Sequence, residues 1–438
     1  MKGLSIFLFE GKHFLRNPFK VVALLLFIVA GVYGLHNGAN LYHKQQAEIE
    51  KIHQKVKKDR QEILNYYEQG KKGPVNRPWV NLTQPFWAIN SIAVYHFKKP
   101  SASMVYSIGQ AEQYGFYKNV TFQSSPYDTD MAEEIANPER LQLGTLDFSF
   151  VLLFLLPLVL LILIYNIKSY ESEQGFLPLI LVQSASKNKW LISRLAFYLV
   201  LTFLTIVLLL FYGAILTDLF STASSVFIDF ILLSLLYLIF WGVFYFFILR
   251  KGKSILGNTL QMVGLYLLFT FIIPATVHQF LSIEKPTSLM TDYIDATRDD
   301  VYELYDQPDS ILNGKLIDLF PEIKDTEIAN DTLKNASAMN RAFYALSNQL
   351  MKESITTIEK ENSEKNNLIS NTFWFNPVVG FQNKFNQKAE THYQDYQNYR
   401  HEIQNMIDQQ IRIMVLDIYN DVNITKTKYL DYINQLEK

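Results

Sequence analysis

Five apolar runs alternate with two large polar regions along this 438-residue chain. The apolar runs cover residues 18–35, 148–167, 195–216, 226–249 and 255–281. A helix needs about 20 apolar residues to cross a bilayer, so each run predicts a membrane span. The polar regions, 36–146 and 282–438, are too long to be simple connections between spans. The predicted fold class is a mainly α polytopic membrane protein with a large, mostly helical domain outside the bilayer.

The distribution of basic residues predicts an orientation. Lys and Arg concentrate in segments 2–20, 168–194 and 250–253, which all fall on one side of the five spans. Basic residues near span ends mark the cytoplasmic side of a membrane. We therefore expect a multi-pass protein of the bacterial inner membrane with a cytoplasmic N-terminus and with both polar regions extracytoplasmic.

The first 17 residues form an amphipathic pattern before the first span. One face would carry Leu4, Phe7, Leu8, Phe14 and Leu15, with Lys2, Lys12 and Arg16 opposite. This pattern favours an interfacial helix on the inner leaflet over a soluble cap.

The polar regions contain further elements of their own. In the first, residues 41–69 predict a helix that Gly70 to Pro74 ends, and the proline-rich stretch 75–145 predicts short strands or irregular structure. In the second, residues 335–366 and 382–419 have apolar positions at helical spacing. We expect the two regions to pack together as one extracytoplasmic domain.

The segment between the second and third spans, 168–194, is amphipathic. It opens on Glu171 and Glu173, continues through Gly175, Phe176 and Leu177, and closes on basic residues that include Lys187. Acid at the start and base at the end suit the dipole of a helix. A short helix with an apolar face needs a cover, which is either the bilayer surface or a partner protein.

The order of residues in this loop resembles the cytoplasmic loop of type-2 ABC exporter (ABC-2) permeases. That family has an acidic–Gly–Thr–Leu segment followed by a Pro–x–Ser–Arg turn and a basic residue. Matching positions are Glu171, Glu173, Gly175 and Leu177, then Gln183, Ser186, Lys187 and Arg194, whereas Phe176 replaces the Thr and Ser184 the Pro. Span order over residues 1–283 is similar to a branch with large extracytoplasmic insertions, akin to the permease of nitrous-oxide reductase maturation.

The resemblance implies the membrane subunit of an ABC transporter. Glu171, Glu173, Gly175, Phe176 and Leu177 would form a coupling helix that docks on a separate ATPase subunit, which binds ATP and Mg²⁺. A second permease subunit, identical or a paralogue, would complete the membrane part, and a periplasmic partner or substrate would meet the external domain. The family has six spans, so a sixth is expected to follow Lys438 in a longer chain.

Composition and motifs favour no chemistry of the chain's own. It has no cysteine, and its 40 basic and 42 acidic residues are balanced, which favours neither a cysteine-based metal site nor nucleic acid as a partner. Gly252-Lys253-Ser254 lacks the earlier Gly of a phosphate-binding loop because position 247 is Phe, and His401-Glu402 lacks a second His because position 405 is Asn. We expect no catalytic residues, metal or cofactor.

Three polar residues fall within the predicted spans, namely Asp229, Asn258 and Gln261. Such residues line a pathway or face a protein interior, although placement near the interface also explains them. Two other classes of function stay open: a non-transporting membrane scaffold or sensor whose external domain holds a partner, and an integral-membrane enzyme, which the lack of a catalytic motif disfavours.

Overall fold

The computed structural model describes residues 3–128, 130, 146–183, 186–252, 254–284 and 301–437. Five of its helices are long and apolar enough to cross a membrane, and the one sheet among these residues has two short strands. The mainly α fold class is confirmed, and the chain is a membrane-embedded protein by the length and composition of these helices.

The bounds of the spans follow the hydropathy pattern. The first is part of Pro18–Glu68, the second comprises Phe148–Phe150, Val151–Leu155 and Leu156–Ile164, and the third is Lys187–Leu216. The fourth is Ser224–Lys251 and the fifth comprises Ile255–Leu267, Leu268–Ile272 and Ile273–Glu284. The helix of the third span begins at Lys187, eight residues before the predicted span. These eight residues are more polar, but they form the first two turns of the same helix.

The first span is the beginning of a much longer helix. The helix Pro18–Glu68 is 51 residues long, which corresponds to about 76 Å at 1.5 Å per residue. The predicted span, 18–35, and the predicted helix, 41–69, are both helical and form one continuous helix. Two glycines near the junction of these stretches allow close packing. A Cβ at Gly34 would lie 2.7 Å from the backbone of Asp147, and one at Gly38 would lie 2.7 Å from the Val105 carbonyl oxygen.

The second span lies at the centre of the helix bundle. Its most apolar window is 67% buried, against 17% for the fifth span. In both spans a π turn, Val151–Leu155 or Leu268–Ile272, ends two residues before a proline. Pro157 has no N–H to donate, and the nearby Leu153 carbonyl accepts instead from the Tyr237 hydroxyl of the fourth span at 2.5 Å. This bond satisfies a backbone group that the bilayer could not.

The N-terminal helix, Gly3–Leu15, packs on the third span through a face that differs from the predicted one. Ile6 and Phe14 are buried, and the Phe7 ring lies edge-on to the Phe197 ring at 5.0 Å. Leu8 and Leu15 are 63% and 74% exposed, so their placement on the same face as Phe14 was wrong. The position of Leu4's side chain and all of Lys2 lie outside the described residues.

The polar domain is built mainly from helices around one core. Its helices are Pro85–Asn90, Asp309–Leu319, Glu327–Asn330, Thr332–Asn371, Tyr393–Tyr419 and Lys426–Leu436. A further helix, Pro377–Lys388, packs on the fourth span instead, where the rings of Phe381 and Phe385 contact those of Tyr237 and Phe230. Strands β1 (Tyr95–Phe97) and β2 (Tyr117–Asn119) pair antiparallel, with His96 opposite Lys118. The predicted helix 382–419 is broken, because His392 caps a new helix through its side chain. Residues 131–145 of the predicted irregular stretch lie outside the described residues.

The two polar regions pack together, as the sequence predicts. One buried cluster joins Ile89 and Phe122 of the first region to Leu316, Ile407 and Tyr432 of the second. The far end of the first-span helix is held there too, since Glu68 pairs with Lys426 at 2.6 Å and Arg60 pairs with Glu437. The first-span helix thus connects the bundle to the core of the polar domain.

Candidate functional site: the loop between the second and third spans

The loop opens on a short helical turn, Ser169–Glu173, that is fixed to the fourth and fifth spans. The Lys168 ammonium donates to the carbonyl oxygens of Leu249, Arg250 and Gly252 at 3.0, 2.8 and 2.6 Å. These carbonyls end the fourth-span helix and lack partners within it, so a cation there satisfies them. Lys168 therefore caps the fourth span.

The same turn holds the start of the fifth span. A carboxylate oxygen of Glu173 accepts from the Ile255 N–H at 2.7 Å, at the end of a helix where acidic groups are favoured. The side-chain amide of Asn258 donates to the Ser169 hydroxyl at 2.5 Å. Two contacts thus join the loop to the first turn of this helix.

A buried ionic cluster holds the other side of the turn. The Arg194 guanidinium pairs with Glu10 of the N-terminal helix and with Glu171, and it donates to the Ile167 carbonyl at 2.5 Å. Glu10 is fully buried, whereas Glu171 retains 15% exposure. Lys20 is also buried, and its ammonium donates to the Tyr198 hydroxyl at 3.2 Å. Two acids and two bases give the cluster no net charge, as burial requires.

The second half of the loop projects from this base. It forms the helix Leu177–Gln183, whose inner side packs Leu177 and Ile180 against the core of the bundle. Phe176, Leu179 and Val182 are 54%, 64% and 87% exposed, and their spacing of three residues places them on one side. Gly175 allows the turn between the two parts, because its φ of +75° favours glycine. Ser184 and Ala185 lie outside the described residues.

Two of the five residues predicted to form the coupling helix pack inward. Glu171 is not an exposed charge, since it belongs to the buried Arg194 cluster. Leu177 packs against the core of the bundle, whereas Phe176, Leu179 and Val182 lie on the exposed side of the loop. Phe176 is exposed, and Leu179 rather than Leu177 lies on the outer side with it.

The three polar residues of the spans do not come together. Asp229 lies near the start of the fourth-span helix and pairs at 2.7 Å with Lys388, the last residue of the helix Pro377–Lys388. Asn258 lies at the opposite end of the helix pair and is occupied by the loop contact, while Gln261 is exposed on the helix surface. These positions form no common pathway, because each belongs to a different environment.

The sequence analysis did not predict that Glu10 and Lys168 fix the loop. The sequence held one indication for Glu10. It lies four residues from both Ile6 and Phe14, so that an acid interrupts the face that packs on the third span. A buried acid at such a position requires a base, which Arg194 supplies.

Motifs that resemble chemical sites are used as structural contacts. Gly252 ends the fourth-span helix and the Ser254 hydroxyl accepts from the Gly257 N–H at 3.1 Å, while Lys253 lies outside the described residues. His401 bonds Glu359 at 2.5 Å, and Glu402 bonds His96 at 2.7 Å. Within the described ranges, no three His, Asp or Glu side chains are grouped so that they could hold a metal ion.

No family model, no curated protein and no solved structure matches this chain. The assignment of a function therefore depends on the loop itself.

Proposed function

We propose that the chain is the membrane subunit of an ABC-2 type transporter and that the helix Leu177–Gln183 couples it to a separate ATPase subunit. The observation that carries the proposal is an exposed apolar side, Phe176, Leu179 and Val182, on a helix whose base is bonded to several spans. An exposed aromatic and aliphatic cluster of this kind is typical of a protein-binding surface.

The fixed base supports a mechanical role. Through Lys168, Glu173 and Arg194, the turn is bonded to the fourth, fifth and third spans, and through Glu10 to the N-terminal helix. A displacement of the turn would move these elements as rigid bodies. Bonds of this type are what a subunit would need to convert ATPase closure into rearrangement of its spans.

The orientation that the basic segments predict fits the same proposal. The loop would lie in the cytoplasm, where the ATPase binds ATP and Mg²⁺, and the polar domain would lie outside and meet a substrate or a periplasmic partner. A second permease subunit, identical or a paralogue, would complete the complex. The chain itself would carry out no catalysis.

Affinity purification tests the proposal. The tagged chain is isolated from its native membrane, and co-purified proteins are searched for an ATPase subunit with a phosphate-binding loop. We expect the wild type to retain such a subunit and Phe176→Ser with Leu179→Ser to lose it. Loss of one aromatic anchor costs about 2 kcal/mol or more, or about 30-fold in Kd.

The matched control is Trp374→Ser, which removes an aromatic ring that is 84% exposed in the polar domain. It should retain the ATPase, and all variants should reach the membrane in equal amounts. Equal recovery of the ATPase with the loop variant, or none with the wild type, would refute the proposal and favour a scaffold or sensor.

A further inference from the structure

A cleft of about 720 Å³ lies in the polar domain, between the outer part of the first-span helix and the segment 74–93. Its helix wall includes Lys55, Asp59 and Tyr66, which are spaced to share one face. Its opposite wall includes Trp79 and Trp87. The volume is within the range of about 300–1,000 Å³ that small-molecule sites occupy.

The opposite wall is held in place by backbone contacts. The Leu82 N–H donates to the Lys72 carbonyl at 2.6 Å, and the Leu82 carbonyl accepts from the Tyr67 hydroxyl at 2.6 Å. The Thr83 carbonyl accepts from the Ile424 N–H at 2.8 Å. The cleft is therefore formed before any ligand arrives, which lowers the entropy that binding costs.

Aromatic surface is available inside the cleft. The Trp79 side chain is 65% exposed, and no other ring or cation within the described residues stacks on it. Trp87 and Tyr66 are half-buried and complete the aromatic lining. Such rings offer a flat apolar face together with a polar edge, which suits a ligand that has both.

Ser91 donates to the Ala88 carbonyl, but most other polar side chains of the cleft have no partner in the part of the chain that the structure describes. Across the described ranges, the side chains of Lys55, Asp59, Asn76, Arg77 and Asn90 make no hydrogen bond or ion pair. Glu62 accepts only from the Tyr66 hydroxyl, at 3.0 Å. The lining carries two acids, Asp59 and Glu62, and two bases, Lys55 and Arg77, so it has no net charge and offers both donors and acceptors.

We propose that this cleft binds a neutral carbohydrate. Hydroxyl groups both donate and accept, so they match the mixed set of amides, carboxylates and cations, and the C–H face of a sugar ring matches the exposed Trp79 face. A cationic or anionic ligand would leave two like charges of the lining unmatched. This inference is independent of the proposed transport function.

Binding is measured with the full chain in lipid nanodiscs, because the head groups of maltoside detergents are themselves sugars. The probes are chitotriose, cellotriose, maltotriose and mannotriose, followed by saturation-transfer NMR and tryptophan fluorescence. We expect saturable binding of at least one trisaccharide. Trp79→Ala should weaken its Kd by about tenfold or more, and Asp59→Asn should weaken it too.

Trp374→Ala is the matched control, since it removes another exposed tryptophan far from this cleft in sequence. It should bind the sugar as the wild type does, and both Trp variants should unfold at the wild-type temperature. The proposal is overturned if no trisaccharide binds, if Trp79→Ala binds as tightly as Trp374→Ala, or if tetramethylammonium ion occupies the cleft instead of sugar.

Discussion

The buried cluster around Arg194 gives the sharpest test of how the loop is held. Arg194→Met leaves Glu10 and Glu171 facing the single positive charge of Lys20, so one buried carboxylate is uncompensated. Removal of one partner from a buried ion pair costs about 3–5 kcal/mol. We expect a loss of this size, seen as a lower unfolding temperature and as faster proteolysis of the loop.

The double variant Glu171→Gln with Arg194→Met separates charge from packing. It removes one acid and one base and leaves Glu10 with Lys20, which keeps the cluster neutral. Because replacing a whole buried pair is often close to neutral, the double variant should be more stable than Arg194→Met alone.

The matched control is Arg412→Met, which removes the same side chain from an exposed pair with Glu322. An exposed pair contributes only about 0–1 kcal/mol, so this variant should unfold near the wild-type temperature. The measurement is the fraction of chain that stays monodisperse after heating in detergent. If Arg194→Met matched Arg412→Met, or if the double variant were the least stable, the reasoning about net charge would be refuted.

Three further predictions follow from single contacts. Tyr237→Phe removes the donor to the Leu153 carbonyl and should destabilise the bundle by about 1–3 kcal/mol in a thermal unfolding assay, whereas Tyr302→Phe at a 70% exposed position should change little. Burial lowers the pKa of His392, whose Nδ1 accepts from the Gln394 N–H. As pH falls, the imidazole is therefore protonated in the unfolded chain before it is in the folded one, so the free energy of unfolding decreases below about pH 6.5. His392→Asn keeps a capping residue and should reduce the fall in unfolding temperature between about pH 8 and pH 5. An unchanged fall would exclude His392 as its source. The wild type has no cysteine, so single cysteines at Val75 and Val182, which are both more than 80% exposed, report the orientation of the chain in the membrane. In intact cells, an impermeant maleimide should label Val75→Cys but not Val182→Cys. The reverse result would mean that the predicted orientation is wrong.

Hydropathy predicts the spans because bilayer thickness fixes the length of each apolar run. It does not predict that Pro18–Glu68 is one continuous helix, because glycines such as Gly34 and Gly38 usually weaken a helix. In the structure they allow the backbones of Asp147 and Val105 to approach closely. The loop shows the same limit. Its acids were identified, but Glu171 turned inward because Arg194 and Glu10, distant in sequence, meet it in the bundle.

The cleft could not be predicted for a related reason. Lys55, Asp59 and Tyr66 share a helix face that sequence alone assigns to solvent. Only the folding of segment 74–93 against that face, fixed by contacts such as Tyr67 with Leu82, places Trp79 opposite the charges. When a site is formed by two segments and neither carries a motif, it can be identified only from the tertiary structure.

The helix Pro18–Glu68 is unbroken, so it would carry a tilt of its membrane end along its whole length. A rotation of about 5° at its membrane end would displace its far end by about 7 Å over a length of about 76 Å. Leu64 and Tyr67 pack against the core of the polar domain, and Glu68 and Arg60 pair with Lys426 and Glu437, so the polar domain would move with it. Small tilts among the spans would thus be magnified into large excursions of the surface that carries Trp79.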